Sequence, residues 1–180
     1  MSAILKVTAL VKNFGGLKAL DCVDIEIEQG AIASLIGPNG AGKMTFFNCI
    51  TSLQAPDKGS IIYSQQGKET EITFKPAHKI ARMGLVRTFQ NIRVFGNMTV
   101  LENVLAGKYC RTSSGLLSAL LMNGKAKAEE KKAEAECEEL LELTGLSEYG
   151  GLEAACLAHG LQRRLEIARA LAAGPSLLLL

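Results

Sequence analysis

The chain has 180 residues, 48% of them apolar, with 20 basic and 18 acidic side chains and a formal net charge of +2. Such a length and apolar content suit a folded domain with its own core and exclude a disordered polymer. The balanced charge excludes the strong basic field that gathers nucleic acid, and no run of about 18 apolar residues is present to make a helical membrane span.

Lys6, Lys12 and Asp21 interrupt any apolar core of an N-terminal signal peptide, so a role at a membrane would require docking on another protein. The five cysteines, Cys22, Cys49, Cys110, Cys137 and Cys156, are scattered, odd in number and without C-x-x-C spacing. Buried or half-buried free thiols in a reducing cytosol are expected, without metal or disulfide roles.

Residues 4–12 and 22–28 alternate apolar and polar side chains with period two, which predicts two half-buried, antiparallel strands. Ala31 to Ile36 is almost wholly apolar and predicts a strand buried on both faces. A glycine-rich turn follows, then a helix from about Gly42 to Leu53. Pro56-Asp57-Lys58-Gly59 is a turn signal. Ser60–Tyr63 and Leu85–Phe89 predict further strands, with a short helix near Pro76–Met83 between them.

Thr99-Val-Leu-Glu102 is a capping box that opens a helix toward Tyr109. A long helix is expected from about Lys125 to Leu143, with Ala133, Cys137, Leu140 and Thr144 on one face. Its mixed charges suit a solvated surface. Leu161–Ala172 is a further helix, ended by Gly174-Pro175, and Leu177–Leu180 begins a buried strand. The resulting organisation is a mixed α/β core, a helical insertion over about 91–156 and a return to the core.

Gly37-Pro38-Asn39-Gly40-Ala41-Gly42-Lys43-Met44-Thr45 stands between a predicted strand and a predicted helix, the setting a phosphate-binding loop requires. Glycines allow positive φ and close backbone approach, while wrapped N–H groups and the helix N-terminus offer partial positive charge. Lys43 adds a full charge. These features predict binding of a nucleoside triphosphate, most simply ATP. The motif places Ser or Thr directly after the lysine as a Mg²⁺ ligand. Met44 offers a soft thioether to a hard cation, and Thr45 lies about 100° further round the helix. Nucleotide binding is therefore expected to persist with impaired Mg²⁺ placement.

In these residues the chain resembles the ABC-type ATPases, and closely the ATP-binding subunits of branched-chain amino-acid importers. The resemblance rests on the loop, on Phe14 within Lys-Asn-Phe-Gly-Gly-Leu-Lys-Ala-Leu and on Val86-Arg-Thr-Phe-Gln90-Asn-Ile-Arg-Val-Phe95. It rests also on Leu157-Ala-His-Gly160-Leu-Gln-Arg-Arg-Leu-Glu-Ile-Ala-Arg-Ala-Leu171. It implies a P-loop NTPase core with an antiparallel β subdomain and a helical subdomain, incomplete at the C-terminus. Residues 1–90 would form the nucleotide-binding core and antiparallel part, 91–156 the helical subdomain, and 157–180 the signature helix and the start of a further core strand.

By that resemblance, Phe14 stacks on adenine, and Gln90 contacts Mg²⁺ and the attacking water and hinges the helical subdomain. Ala158, His159, Gly160, Leu161 and Gln162 are the signature that faces the ATP of a partner subunit. Lys43 and Gln90 are the catalytic candidates in this chain. Ala158 and Leu161 depart from the family's serine and polar residue, so support for a partner's nucleotide is expected to be weakened. The apolar run Leu177–Leu180 matches the lead-in to an acidic pair that serves Mg²⁺ and the attacking water. That pair, the switch histidine and the remaining core strands do not follow within these residues. Little or no ATP hydrolysis by the chain alone is therefore expected, with a fragment or a degenerate or incompletely read gene as the simplest account.

The implied cofactors are ATP and Mg²⁺. The implied partners are a second ABC ATPase subunit, identical or not, transmembrane permease subunits and, indirectly, a periplasmic or extracellular binding protein. The implied location is peripheral, on the cytoplasmic face of the inner membrane. A non-hydrolysing, degenerate nucleotide-binding module is the alternative. A soluble ABC protein of ribosomes or DNA is disfavoured, because no second cassette, basic arm or coiled coil is present.

Overall fold

The computed structural model describes residues 2–88, 92–109 and 124–180. Its contacts divide the chain into two compact units, Met1–Leu85 and Val86–Leu180.

In the first unit, β1 (Ala3–Phe14) and β2 (Leu17–Glu28) pair antiparallel, as their alternation predicts. Together with β3 (Lys58–Gln65) and β4 (Lys68–Glu71) they make a four-stranded sheet in the order β2-β1-β3-β4. Val7 and Leu10 are both buried although three residues apart, because a bulge at Ala9 (φ +48°) shifts the register between them. The Asp24 carboxylate accepts a hydrogen bond from Ala9 N at 2.8 Å and holds the bulge. Gly59 (φ +93°) crosses this place so closely that a Cβ would lie 2.6 Å from the Thr8 and Ala9 carbonyl oxygens. The hairpin strand β4 is absent from the sequence reading. Its Lys-Glu-Thr-Glu composition carries no strand signal, and the turn at Gln66 (φ +51°) and Gly67 (φ +77°), a mirror-image hairpin turn, creates it.

Helix α1 runs over Lys43–Ile50 and stops before the expected Leu53, because Ser52 takes a positive φ of 56° and the Leu53 and Gln54 amides both turn back to the Asn48 carbonyl. Helix α2 (Ala77–Arg82) starts at Pro76 as expected. Residues 31–36 overturn an expectation. They form no strand, and Ile32 and Ile36 are exposed at 102% and 90%. Apolar composition records the wish to be buried, but a strand also needs a neighbour to satisfy its N–H and C=O groups. No strand among the described residues pairs with this run.

Beginning at the boundary residue Leu85, β5 (Leu85–Arg87) forms a two-stranded sheet with β6 (Leu177–Leu179), extended by Thr88 N donating to Leu179 O at 2.9 Å. Leu179 is buried and Leu180 exposed, so the last strand is only partly covered. Helices α3 (Val100–Tyr109), α4 (Gly124–Leu143) and α5 (His159–Ala172) pack around Val100, Val104, Cys137, Leu141, Leu146 and Leu165. The capping box is formed: Thr99 N donates to Glu102 Oε2 at 2.7 Å and Glu102 N to Thr99 Oγ1 at 3.2 Å. Among the described side chains of α4 the buried positions are Ala133, Cys137 and Leu141, at helical spacing of four, with Leu140 and Thr144 half-covered at the edge.

Helices α3 and α5 meet at Gly107, where a Cβ would lie 2.2 Å from the Arg169 carbonyl oxygen. Gly107→Ala is expected to force the two helices apart and to lower stability by roughly 1–3 kcal/mol. The midpoint of urea unfolding checks this, and an unchanged midpoint would show that the helices can slide at no cost.

Cys49 and Cys137 are buried thiols, and burial raises the pKa of each. Cys22 and Cys156 correct the expectation of burial: both are free and exposed. Cys110 lies outside the described residues.

Candidate nucleotide-binding site

Residues 37–42 connect the irregular run 31–36 to α1 as an open loop. Gly40 (φ +83°) and Gly42 (φ +81°) both take the left-handed conformation, which turns successive N–H groups toward one side. Gly42 has a second reason to be glycine. A Cβ there would stand 2.3 Å from the Ala19 carbonyl oxygen and 3.2 Å from a Leu20 methyl, so the loop is pressed against β2. Gly37 has a negative φ, and its Cβ would meet only Ala41 at 3.4 Å. Ala41 N donates to Pro38 O at 3.3 Å, which tightens the turn around Asn39.

Lys43 is the first residue of α1, and Phe46 N donates to Gly42 O at 2.9 Å to close the first turn. No side-chain cap and no acidic residue occupies this first turn, so the positive end of the helix dipole opens toward the loop. The Lys43 ammonium arches back and donates to Gly37 O at 2.5 Å and Pro38 O at 2.7 Å. A lysine bonded to neutral carbonyls can exchange them for phosphate oxygens at a gain in charge-assisted hydrogen bonding. Glycine backbone, helix end and lysine thus stand together at the start of α1, and these residues fit a polyphosphate.

They do not fit Mg²⁺ in the same way. Met44 is 43% exposed in the first turn, with a thioether where a hydroxyl ligand would be needed, and Thr45 is half-buried one residue on. The described residues contain no cluster of His, Cys, Asp and Glu able to hold a metal ion.

Phe14 ends β1 and is 44% exposed. The Lys12 ammonium stands over its ring, 5.7 Å from the centroid. Asp57, read from the sequence only as part of a turn, ties this region together. Its carboxylate accepts from Lys12 Nζ at 2.8 Å, Asn13 N at 2.7 Å and Asn13 Nδ2 at 3.1 Å. The Lys12 hydrogen bond first, and the Asn13 amide second, hold the Asp57 carboxyl below the usual carboxylate range.

The first unit therefore holds Phe14, Gly37, Pro38, Asn39, Gly40, Ala41, Gly42, Lys43, Met44 and Thr45. Gln90 lies outside the described residues. The second unit holds Ala158, His159, Gly160, Leu161 and Gln162, at the start of α5. Ala158 is its N-cap, and its carbonyl accepts from Leu161 N at 2.9 Å and Gln162 N at 3.0 Å. Ala158, His159 and Gly160 are exposed, whereas Leu161 packs on the helical core. Gln162 turns away from solvent to reach Ala154 O at 3.3 Å.

Two residues of α5 escape sequence reading because only packing distinguishes them. Glu166 is 2% exposed and accepts from Arg163 Nη1 at 2.5 Å. Arg169 donates to the Arg93 carbonyl and stacks over Phe95 at 5.1 Å.

The sequence profile described as ABC transporter matches residues 20–180. The chain belongs to the ABC transporter family. Among its relatives, the high-affinity branched-chain amino acid transport ATP-binding protein LivG of Escherichia coli K12 is 43% identical over 177 residues, 98% of this chain and 68% of that protein. BraF of Pseudomonas aeruginosa, which carries the same description, is 41% identical over the same shares. Among solved structures, the ADP conformation of MJ1267, an ATP-binding cassette of an ABC transporter, superposes with a TM-score of 0.79 at 34% identity. It covers 99% of this chain and 68% of that one. A nucleotide-free ATP-binding cassette gives 0.77 at 35% identity, over 98% and 68%. The ABC cassette described here thus spans about two thirds of the length of these relatives, and its fold is theirs. No helix among its described residues is long and apolar enough to cross a membrane.

Proposed function

We propose that this ABC cassette binds ATP in the loop Gly37–Thr45 and serves as the ATP-binding subunit of a branched-chain amino-acid importer. The observation that carries the binding site is Gly42, left-handed and packed on β2 so closely that a Cβ would lie 2.3 Å from the Ala19 oxygen, where α1 begins and Lys43 arches over the loop. Backbone amides between Pro38 and Thr45 wrap the β- and γ-phosphates, and the α1 dipole adds to their attraction. Lys43 leaves the Gly37 and Pro38 carbonyls for phosphate oxygens, and Phe14 offers its exposed ring to adenine. Glycine at 160 and the bare N-terminus of α5 face the nucleotide of a second cassette by the same dipole logic.

The importer assignment draws on the identity to LivG and BraF. In that setting the cassette works peripherally at the cytoplasmic face of the membrane. It pairs with a second cassette, docks on permease subunits through its helical part, and never touches the amino acid itself, which the binding protein and permease carry. A second reading, a nucleotide-binding module that does not hydrolyse, draws on Met44 in the first turn of α1. It shares the same loop and differs only in turnover.

Co-purification of the cassette with permease subunits tests the importer assignment, and failure to retain them in the presence of ATP would remove it. ATP turnover measured in that assembly separates the two readings. Turnover well above background would end the second.

A further inference from the structure

We infer that Asp57 is a positioning residue for the base-stacking platform, acting on Phe14 through Lys12 and Asn13; the inference rests on Phe14 receiving the base of the nucleotide. Pairing between β1 and β3 ends at Val11 opposite Lys58, and the β1–β2 register shifts between Leu10 and Lys12 and again between Lys12 and Asn13. The three residues that lead to the ring therefore have strand support on the β2 side only, from Leu20, Lys18 and Leu17. Asp57 takes over on the other side. Its own amide is fixed by Val11 O at 2.8 Å, and its two carboxylate oxygens collect three donors from Lys12 and Asn13. A carboxylate can do this where a further strand residue cannot, because it accepts from a main-chain amide and an ammonium at once.

The consequence falls on the ring. Lys12 is only 12% exposed in its side chain, with its ammonium fixed by Asp57 at 2.8 Å and standing 5.7 Å from the Phe14 centroid. The ring is thereby backed by a cation whose charge is balanced, and its exposed 44% is what a planar ligand would cover. A free lysine would spread over many rotamers, and the ring with it, so a base would have to order both on binding. Asp57 orders them beforehand. The polyphosphate end of the ligand draws on other groups, the loop amides and Lys43, so disturbance at Asp57 is felt by the base and not by the phosphates.

This separation defines the test. Binding of ATP and of inorganic triphosphate to the full chain is measured by competition with a fluorescent ATP analogue, for the native chain, Asp57→Asn, Phe14→Ala and the double variant. Asp57→Asn keeps the shape and loses the charge. It is expected to weaken ATP roughly two- to fivefold and to leave triphosphate unchanged. Phe14→Ala should weaken ATP further, and the double variant no more than Phe14→Ala alone, since the carboxylate acts through the ring. Equal weakening of ATP and triphosphate by Asp57→Asn would reduce Asp57 to a structural clamp and overturn the inference, as would unchanged ATP binding. If Phe14→Ala itself leaves the preference for ATP over triphosphate untouched, the base platform falls and the inference with it, an outcome distinct from failure at Asp57 alone. Should Asp57→Asn not fold, Lys12→Met carries the same expectation, and an unchanged preference there overturns the inference.

Discussion

Gly42→Val is expected to abolish ATP binding, and Lys43→Ala to weaken it by roughly ten- to a hundredfold. At position 42 two penalties coincide. The residue sits at φ +81°, which costs an L-side chain roughly 1–2 kcal/mol and a β-branched one more. Its first side-chain atom would lie 2.3 Å from the Ala19 oxygen, a backbone atom of β2 held between the paired residues Lys18 and Leu20. The loop must leave β2 or the strand must leave the sheet, and in either case the amides no longer converge. At position 43 the effect is chemical. The ammonium now spans Gly37 O and Pro38 O, and transferring it to phosphate supplies a charge-assisted bond of roughly 1.5–3 kcal/mol. Equilibrium binding of a labelled ATP analogue measures both variants, with circular dichroism to verify that the β1–β3 sheet persists. Affinity equal to the native chain in both variants would remove the loop from the account.

The second large effect is expected at Met44. Met44→Thr should make ATP affinity depend on Mg²⁺, with the added cation tightening binding roughly tenfold more than in the native chain. The reason is ligand hardness. Mg²⁺ takes oxygen donors in near-octahedral order and dehydrates reluctantly, so a thioether in the first turn offers it nothing. Met44 is 43% exposed on a helix surface, so its replacement removes little packing, and threonine costs the helix only a few tenths of a kcal/mol. The readout is the ratio of ATP affinities with Mg²⁺ and with a chelator, in both chains. Equal ratios would mean that Mg²⁺ finds its ligands elsewhere and that Met44 is no handicap.

Much of the candidate site is legible from local sequence because its parts are local. A phosphate loop needs glycines for positive φ, a lysine and a helix start within nine residues, and Gly40, Gly42 and Lys43 meet that need in the structure. The capping box at Thr99 and Glu102 spans four residues and forms as read. Residues 31–36 show the opposite case. Their composition is that of a buried strand, yet burial and pairing are properties of neighbours, and Ile32 and Ile36 stand exposed. Strand β4 fails in the other direction, being a polar segment made extended by a two-residue turn.

The amino-acid sequence by itself determined the family, the glycine-rich loop with its lysine, the absence of a hydroxyl at Met44 and the alternation that builds β1 and β2. Each depends on chemistry within a few residues along the chain. Tertiary structure alone decided that Gly42 packs against Ala19 with no room for a Cβ, that Gly107 lets α3 approach Arg169, that Glu166 is buried beside Arg163, and that Asp57 reaches back 45 residues to Lys12. These relations arise where the chain returns on itself, and a carboxylate or a glycine in a linear sequence carries no mark of which distant backbone it will meet.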